Sequence, residues 1–239
     1  MNGPSLLRPK HRTVNEALAA SATSGAGLTF VDLAERETFH PYEEIHVRAG
    51  RTAGALRARG VAPGDRVALV FPTSSGFVDS FFGVLLAGAV PVPLYPPVRL
   101  GRLPEYLDAT SRMIAAVDAR LVLADVATRR LLGRAIEASR PALGCRTPEE
   151  LGDGGELEVS VEPDGLGLIQ FSSGSTAEPR PVALTHANLM TQLEALRTLL
   201  PSEGAVPQKG VSWLPLYHDM GLIGCLLQAV YYPGPLVLI

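Results

Sequence analysis

Between Arg66 and Ser139 the chain alternates short apolar runs with longer helical stretches, and nothing else in it limits the possible folds so strongly. Pro63-Gly64-Asp65 makes a turn, and Arg66-Val67-Ala68-Leu69-Val70-Phe71 then runs apolar without a polar break, as a strand buried on both faces does. The spacing predicts a buried helix over Gly76–Gly88, a strand over Val90–Leu94, and a helix over Leu103–Ala119. A strand over Leu121–Ala124 and a helix over Ala127–Ser139 follow. Strand and helix alternating through short connections is the pattern of an α/β layer with a largely parallel sheet.

On the N-terminal side, Thr13-Val14-Asn15-Glu16 reads as a capping box that starts a helix over Val14–Ser21. Leu28–Asp32 and Glu37–His40 read as a pair of short strands. Tyr42–Arg59 reads as a helix with Ile45, Ala49, Ala53 and Leu56 on one face and Gly60 as its stop. On the C-terminal side, Arg140–Pro163 is rich in Gly and Glu and predicts an exposed loop with a solvated acidic surface. Asn188–Leu200 is a helix capped by Thr185, with Leu189, Leu193, Leu196 and Leu200 on one stripe, and Pro201–Gly210 is a loop. Val211–Leu216 is strand-like, Met220–Tyr231 helical, and Leu236-Val237-Leu238-Ile239 begins a further strand. Four apolar residues at the end predict an N-terminal part of a longer protein, with apolar sheet surface left uncovered.

A chain of 239 residues with 46% hydrophobic and 19% charged residues suits a globular protein with a sizeable core. Its formal net charge of −3 offers no basic field for nucleic acid. Cys145 and Cys225 lie far apart and form no Cys-x-x-Cys pair, as expected of reduced thiols in a cytoplasmic protein. The uncharged stretches Ser80–Val98 and Met220–Ile239 are cut by prolines and predict no transmembrane segment, and Met1–Arg12 lacks the apolar region of a secretory signal.

Chemistry concentrates after Gly167. Leu168–Phe171 is a short apolar run, Ser172-Ser173-Gly174-Ser175-Thr176 is small and hydroxyl-rich, Pro179-Arg180-Pro181 stiffens the chain, and a second apolar run follows. Strand, small loop and strand predict a hairpin whose tip has no bulk. Backbone N–H groups and hydroxyls at such a tip suit phosphate oxygens, and Gly174 permits close backbone approach. A Walker loop is excluded, because Pro179 stands where that pattern asks for its second glycine. An ordinary Ser-rich turn and a phosphate site both remain open on composition.

The order of residues narrows this. Phe-Ser-Ser-Gly-Ser-Thr-x-x-Pro-Arg followed by Thr185-His186-Ala187-Asn188-Leu189 resembles the phosphate-loop signature of the adenylate-forming superfamily. Val211-Ser212-Trp213-Leu214-Pro215-Leu216-Tyr217-His218-Asp219-Met220-Gly221-Leu222-Ile223-Gly224 resembles that superfamily's next signature, in its fatty acyl-AMP ligase version. Gly88–Arg99 is similar to that subgroup's proline-rich segment.

The resemblance implies that residues 1–239 are the N-terminal portion of an acyl-adenylating domain, with the C-terminal domain absent. It implies ATP-dependent activation of a fatty acid to acyl-AMP with Mg2+, then transfer to the thiol of an acyl carrier protein; coenzyme A as acceptor is the alternative. A non-catalytic remnant is the reading from another class. By position, Ser172, Ser173, Gly174, Ser175 and Thr176 would bind the β- and γ-phosphates, Arg180 would meet pyrophosphate, and His218 would lie near the carboxylate. Asp219 would cap the next helix, and Trp213 and Tyr217 would pack. Many superfamily members have Gly at Ala177, Lys at Arg180 and Gly at Pro181; a guanidinium still contacts phosphate, bidentately where Lys is a point charge. No metal ligand is assigned, since the family's acidic motif would lie beyond Ile239. The 239-residue chain alone is expected to be inactive.

Overall fold

The computed structural model describes residues 8–97, 100–172, 179–199 and 209–239. Its centre is a four-stranded parallel sheet of β3 (Arg66–Val70), β4 (Val90–Leu94), β5 (Ala119–Ala124) and β6 (Cys145–Arg146), in the order β4-β3-β5-β6. The apolar runs are buried on both faces, as their lack of alternation requires. Val67, Leu69, Leu121 and Leu123 enter one core, and Ala68, Val70, Val122 and Ala124 enter the other. Pro91 and Pro93 lie in β4, at the edge of this sheet, where a missing outward N–H breaks no ladder bond.

The first core lies under α1 (Val14–Ser21), α2 (Tyr42–Ala58) and α3 (Ser75–Leu86); the second lies under α4 (Leu103–Ala116), α5 (Val126–Leu131) and α6 (Gly133–Ser139). A second sheet, β2-β1-β10-β9, pairs β1 (Gly27–Val31) antiparallel to β2 (Glu37–Pro41). Its β10 (Leu236–Leu238) runs parallel to both β1 and β9 (Gly210–Ser212). The mixed α/β class with parallel sheets is as the sequence predicts.

Several details differ. Thr13 caps α1, accepting from Glu16 N–H at 3.1 Å, but the Glu16 carboxylate turns back to Arg12 N–H at 2.7 Å, so the box is not reciprocal. A reciprocal box stands at Thr147 and Glu150, starting α7 (Pro148–Leu151) in the stretch expected to be loop. The rest of that stretch docks on the helices, with Leu157 N–H bonded to Gly50 O and Val159 N–H to Leu86 O. The helix expected over Ala127–Ser139 breaks at Leu132, where Asp125 caps α5 and a separate α6 begins at Gly133. Strand β9 ends at Ser212 rather than Leu216. The last apolar run is not an uncovered edge: β10 lies between two strands, with Leu236 and Leu238 buried and Ile239 exposed.

Candidate functional site

Two arms meet beside the C-terminal ends of the central strands, the end at which open α/β sheets bind ligands. The first arm is the predicted hairpin, β7 (Leu166–Phe171) and β8 (Pro181–Thr185), antiparallel with Leu168 opposite Leu184 and Phe171 opposite Pro181. Ile169 and Phe171 pack with the core that β4 enters. Ser172 N–H donates to Arg180 O at 2.9 Å and closes the neck, so Ser172 and the exposed Arg180 face each other at the mouth of the loop. Ser173, Gly174, Ser175 and Thr176 lie outside the described residues.

Helix α8 (His186–Leu199) starts directly from β8. Thr185 and Asn188 cap it reciprocally: Thr185 Oγ1 accepts from Asn188 N–H at 3.1 Å, and Asn188 Oδ1 accepts from Thr185 N–H at 3.0 Å. His186 is buried, and burial pushes its pKa down to about 4. The neutral ring accepts from Val14 N–H through Nδ1 at 3.3 Å, which ties the base of the hairpin to α1. Gly167 makes room for this ring, since a Cβ there would stand 3.0 Å from Nδ1.

The second arm is the turn after β9. Leu216 N–H donates to Thr73 Oγ1 at 3.3 Å, fastening the turn to the loop that leaves β3. His218 N–H donates to Pro215 O at 3.1 Å. His218 therefore stands in a turn six residues beyond β9, not at a strand end. Its ring is exposed, and Nδ1 lies 2.5 Å from Asp219 Oδ1, which also accepts from Met220 N–H at 2.7 Å. This contact occupies Nδ1 and leaves Nε2 as the ring atom open to a ligand. Asp219 caps the next helix, as expected, but that helix is π-helical over Met220–Leu227 before α9 (Gln228–Tyr231) restores the α form. Gly221 permits the tight approach of helix to turn, because a Cβ there would sit 2.3 Å from Pro215 O. Trp213 does not pack as predicted; it is 75% exposed.

Between the arms is a cavity of about 330 Å3. Phe171, Val182, Leu184 and Ile223 give it an apolar wall; Gln170, Ser172, Tyr217, His218 and Asp219 supply its polar groups. The structure thus brings Ser172 and His218 to one cavity, with Arg180 at the neck above. Gln170, Val182, Leu184 and Ile223 were not singled out in the sequence, where the last three read as ordinary residues of apolar elements and Gln170 as a polar residue within one. A second cavity, of about 280 Å3, opens at the opposite ends of β3 and β5, where Arg66 and Arg120 are already paired with Asp118 and Asp65. Among the described residues no three His, Cys, Asp or Glu side chains come together as a metal site. Among them, too, no helix is long and apolar enough to cross a membrane.

The sequence model of the AMP-binding enzyme family matches residues 19–239. The chain belongs to this family. It is 32% identical over 217 residues to a Caulobacter vibrioides protein named as an acyl-CoA synthetase, covering 90% of this chain and 38% of that one. To the long-chain-fatty-acid–AMP ligase FadD32 of Mycobacterium marinum it is 35% identical over 187 residues, covering 75% of this chain and 28% of the relative. Among solved structures, one from a study of fatty acyl-adenylate ligases of E. coli and L. pneumophila superposes with a TM-score of 0.87 at 31% identity. That match covers 96% of this chain and 42% of the other. Fatty acyl-AMP ligases are thus both sequence relatives and structural neighbours of this AMP-binding enzyme, and the chain spans less than half the length of each of these proteins.

Proposed function

We propose that residues 1–239 form the N-terminal portion of the adenylating domain of a fatty acyl-AMP ligase, which condenses a fatty acid with ATP to acyl-AMP and pyrophosphate. The observation that carries this reading is the meeting of the two signature arms at one cavity, mostly apolar with a few polar groups, at the C-terminal side of the sheet. An apolar wall beside hydroxyl, imidazole and guanidinium groups suits a ligand with a hydrocarbon tail and an anionic head.

In this reading Ser172, Ser173, Gly174, Ser175 and Thr176 hold the β- and γ-phosphates, and Arg180 neutralises the pyrophosphate as it leaves. Donors preorganised around the leaving group act where charge develops as a carboxylate oxygen attacks the α-phosphorus and the bond to pyrophosphate breaks. His218, with Nδ1 on Asp219, offers Nε2 to the carboxylate or the adenylate. The acyl group then passes to the phosphopantetheine thiol of an acyl carrier protein in the cytoplasm, with AMP released. The 239-residue chain alone holds one side of the reaction and does not complete it, since in-line attack is sensitive to small misplacement.

The test is to incubate the full-length protein with ATP, Mg2+ and fatty acids of medium to long chain, and to look for acyl-AMP by mass spectrometry. Acyl-AMP from the full-length protein and none from the 239-residue chain is expected; none from either sinks the proposal. Adding holo acyl carrier protein or coenzyme A then decides the acceptor, and efficient acyl-CoA formation would move the protein to the coenzyme A ligases.

A further inference from the structure

Gln170 breaks the apolar run of β7. It is buried between Ile169 and Phe171, where packing alone would be served by Leu or Val. A buried amide is costly unless it finds a partner. Its partner is across the cavity: Gln170 Nε2 donates to Tyr217 O at 3.2 Å. Gln170 stands two residues before Ser172 in the first arm, and Tyr217 stands next to His218 in the second. Among the described residues this is the hydrogen bond that joins the two arms directly.

The turn bearing His218 has a second tether, from Leu216 N–H to Thr73, but that one leads to β3 and not to the hairpin. Without the Gln170 bond, the separation between hairpin and His218 rests on packing of Phe171, Leu184 and Ile223 around an open cavity. We infer that Gln170 is a positioning residue, whose amide sets the distance between Ser172 and His218 by holding the Tyr217 carbonyl. This rests on the adenylation reading above. The role needs a donor of this length on β7, which explains a polar side chain at a position that burial would otherwise make apolar.

A more distant tie provides the control. Tyr231 OH donates to Glu194 at 2.5 Å and accepts from Lys10 N–H at 2.7 Å, linking α9, α8 and the N-terminal segment outside the cavity. Removing its hydroxyl breaks one buried and one half-buried bond without touching either arm.

The experiment uses the full-length protein and fatty-acid-dependent exchange of labelled pyrophosphate into ATP. Gln170→Met keeps length and loses the donor; Gln170→Leu is the second variant should Met fail to fold. The expected result is a kcat about 10- to 100-fold lower, with KM for ATP and fatty acid within about threefold, the signature of misplaced groups. Because Gln170 acts through His218, the substitution should cost less than about threefold in a His218→Ala background. If His218→Ala is too slow to measure, the kcat-against-KM split decides. Tyr231→Phe should lower Tm and leave exchange per folded molecule within about twofold. Equal loss of exchange with and without His218 would overturn the inference. So would a loss confined to KM for fatty acid, or a fall in Tm with kcat unchanged. No exchange in the unmutated protein would instead refute the adenylation reading itself.

Discussion

The central sheet and the hairpin beside it are built from similar apolar runs, but they use them differently. In β3 and β5 nearly every side chain is buried, and neighbouring residues feed opposite cores. In β8, Val182 and Leu184 have no sheet-wide layer over them and face a cavity. The faces of the first region are closed by packing; the second keeps apolar surface and polar groups free for a ligand. The difference teaches that an apolar run marks the core only when helices cover both its faces.

Substitutions should separate the two regions, beginning with the largest effect. Leu121→Ala empties a fully buried position in β5 and should cost about 2–5 kcal/mol of stability, measured by urea unfolding, while leaving the cavity between the arms unaltered. A cost below about 1 kcal/mol would mean that the sheet is not the rigid half of the comparison.

His186 ties the base of the hairpin to α1 and makes stability depend on pH. Its native pKa is about 4 against an ordinary 6.5, so the unfolded chain takes up a proton that the native site refuses. The contribution is complete above pH 6.5 and is lost as the pH falls from there towards 4, by roughly 2–3 kcal/mol. Urea unfolding at pH 7 and pH 4.5 should show this loss, and His186→Gln should flatten it.

Gly221→Ala forces a Cβ against the Pro215 carbonyl and should cost about 1–3 kcal/mol, with a fall in activity, because the strain lands on the turn that carries His218. Trp213→Ala, at an exposed position, should change stability by less than about 0.5 kcal/mol, readable as an almost unmoved Tm.

Much of this was legible in the sequence. The parallel layer follows from uninterrupted runs such as Val67–Phe71, and the hairpin from two runs separated by small residues. The helix after it follows from Thr185 and Asn188. What could not be read has physical causes. The π-helical form of Met220–Leu227 has the same apolar content as an α-helix, and the close approach of Gly221 to Pro215 joins residues that the local sequence does not pair. Thr147-Pro148-Glu149-Glu150 did carry a capping-box signal, but it was masked by the Gly- and Glu-rich sequence around it. Gln170 is polar for the sake of a carbonyl 47 residues away, and the residues around it give no sign of that partner.

The central claim is that chemistry belongs to the hairpin and the His218 turn, while the parallel sheet only supports them. The most direct measurement is pyrophosphate exchange by the full-length protein carrying Ser175→Ala and Thr176→Ala, beside one carrying Leu121→Ala, each normalised to its folded fraction. The loop variant should lose about 10- to 1,000-fold in exchange with Tm nearly unmoved, whereas the sheet variant should lose stability and keep its exchange. Full exchange by the loop variant, or an equal loss of exchange in both, would contradict the account.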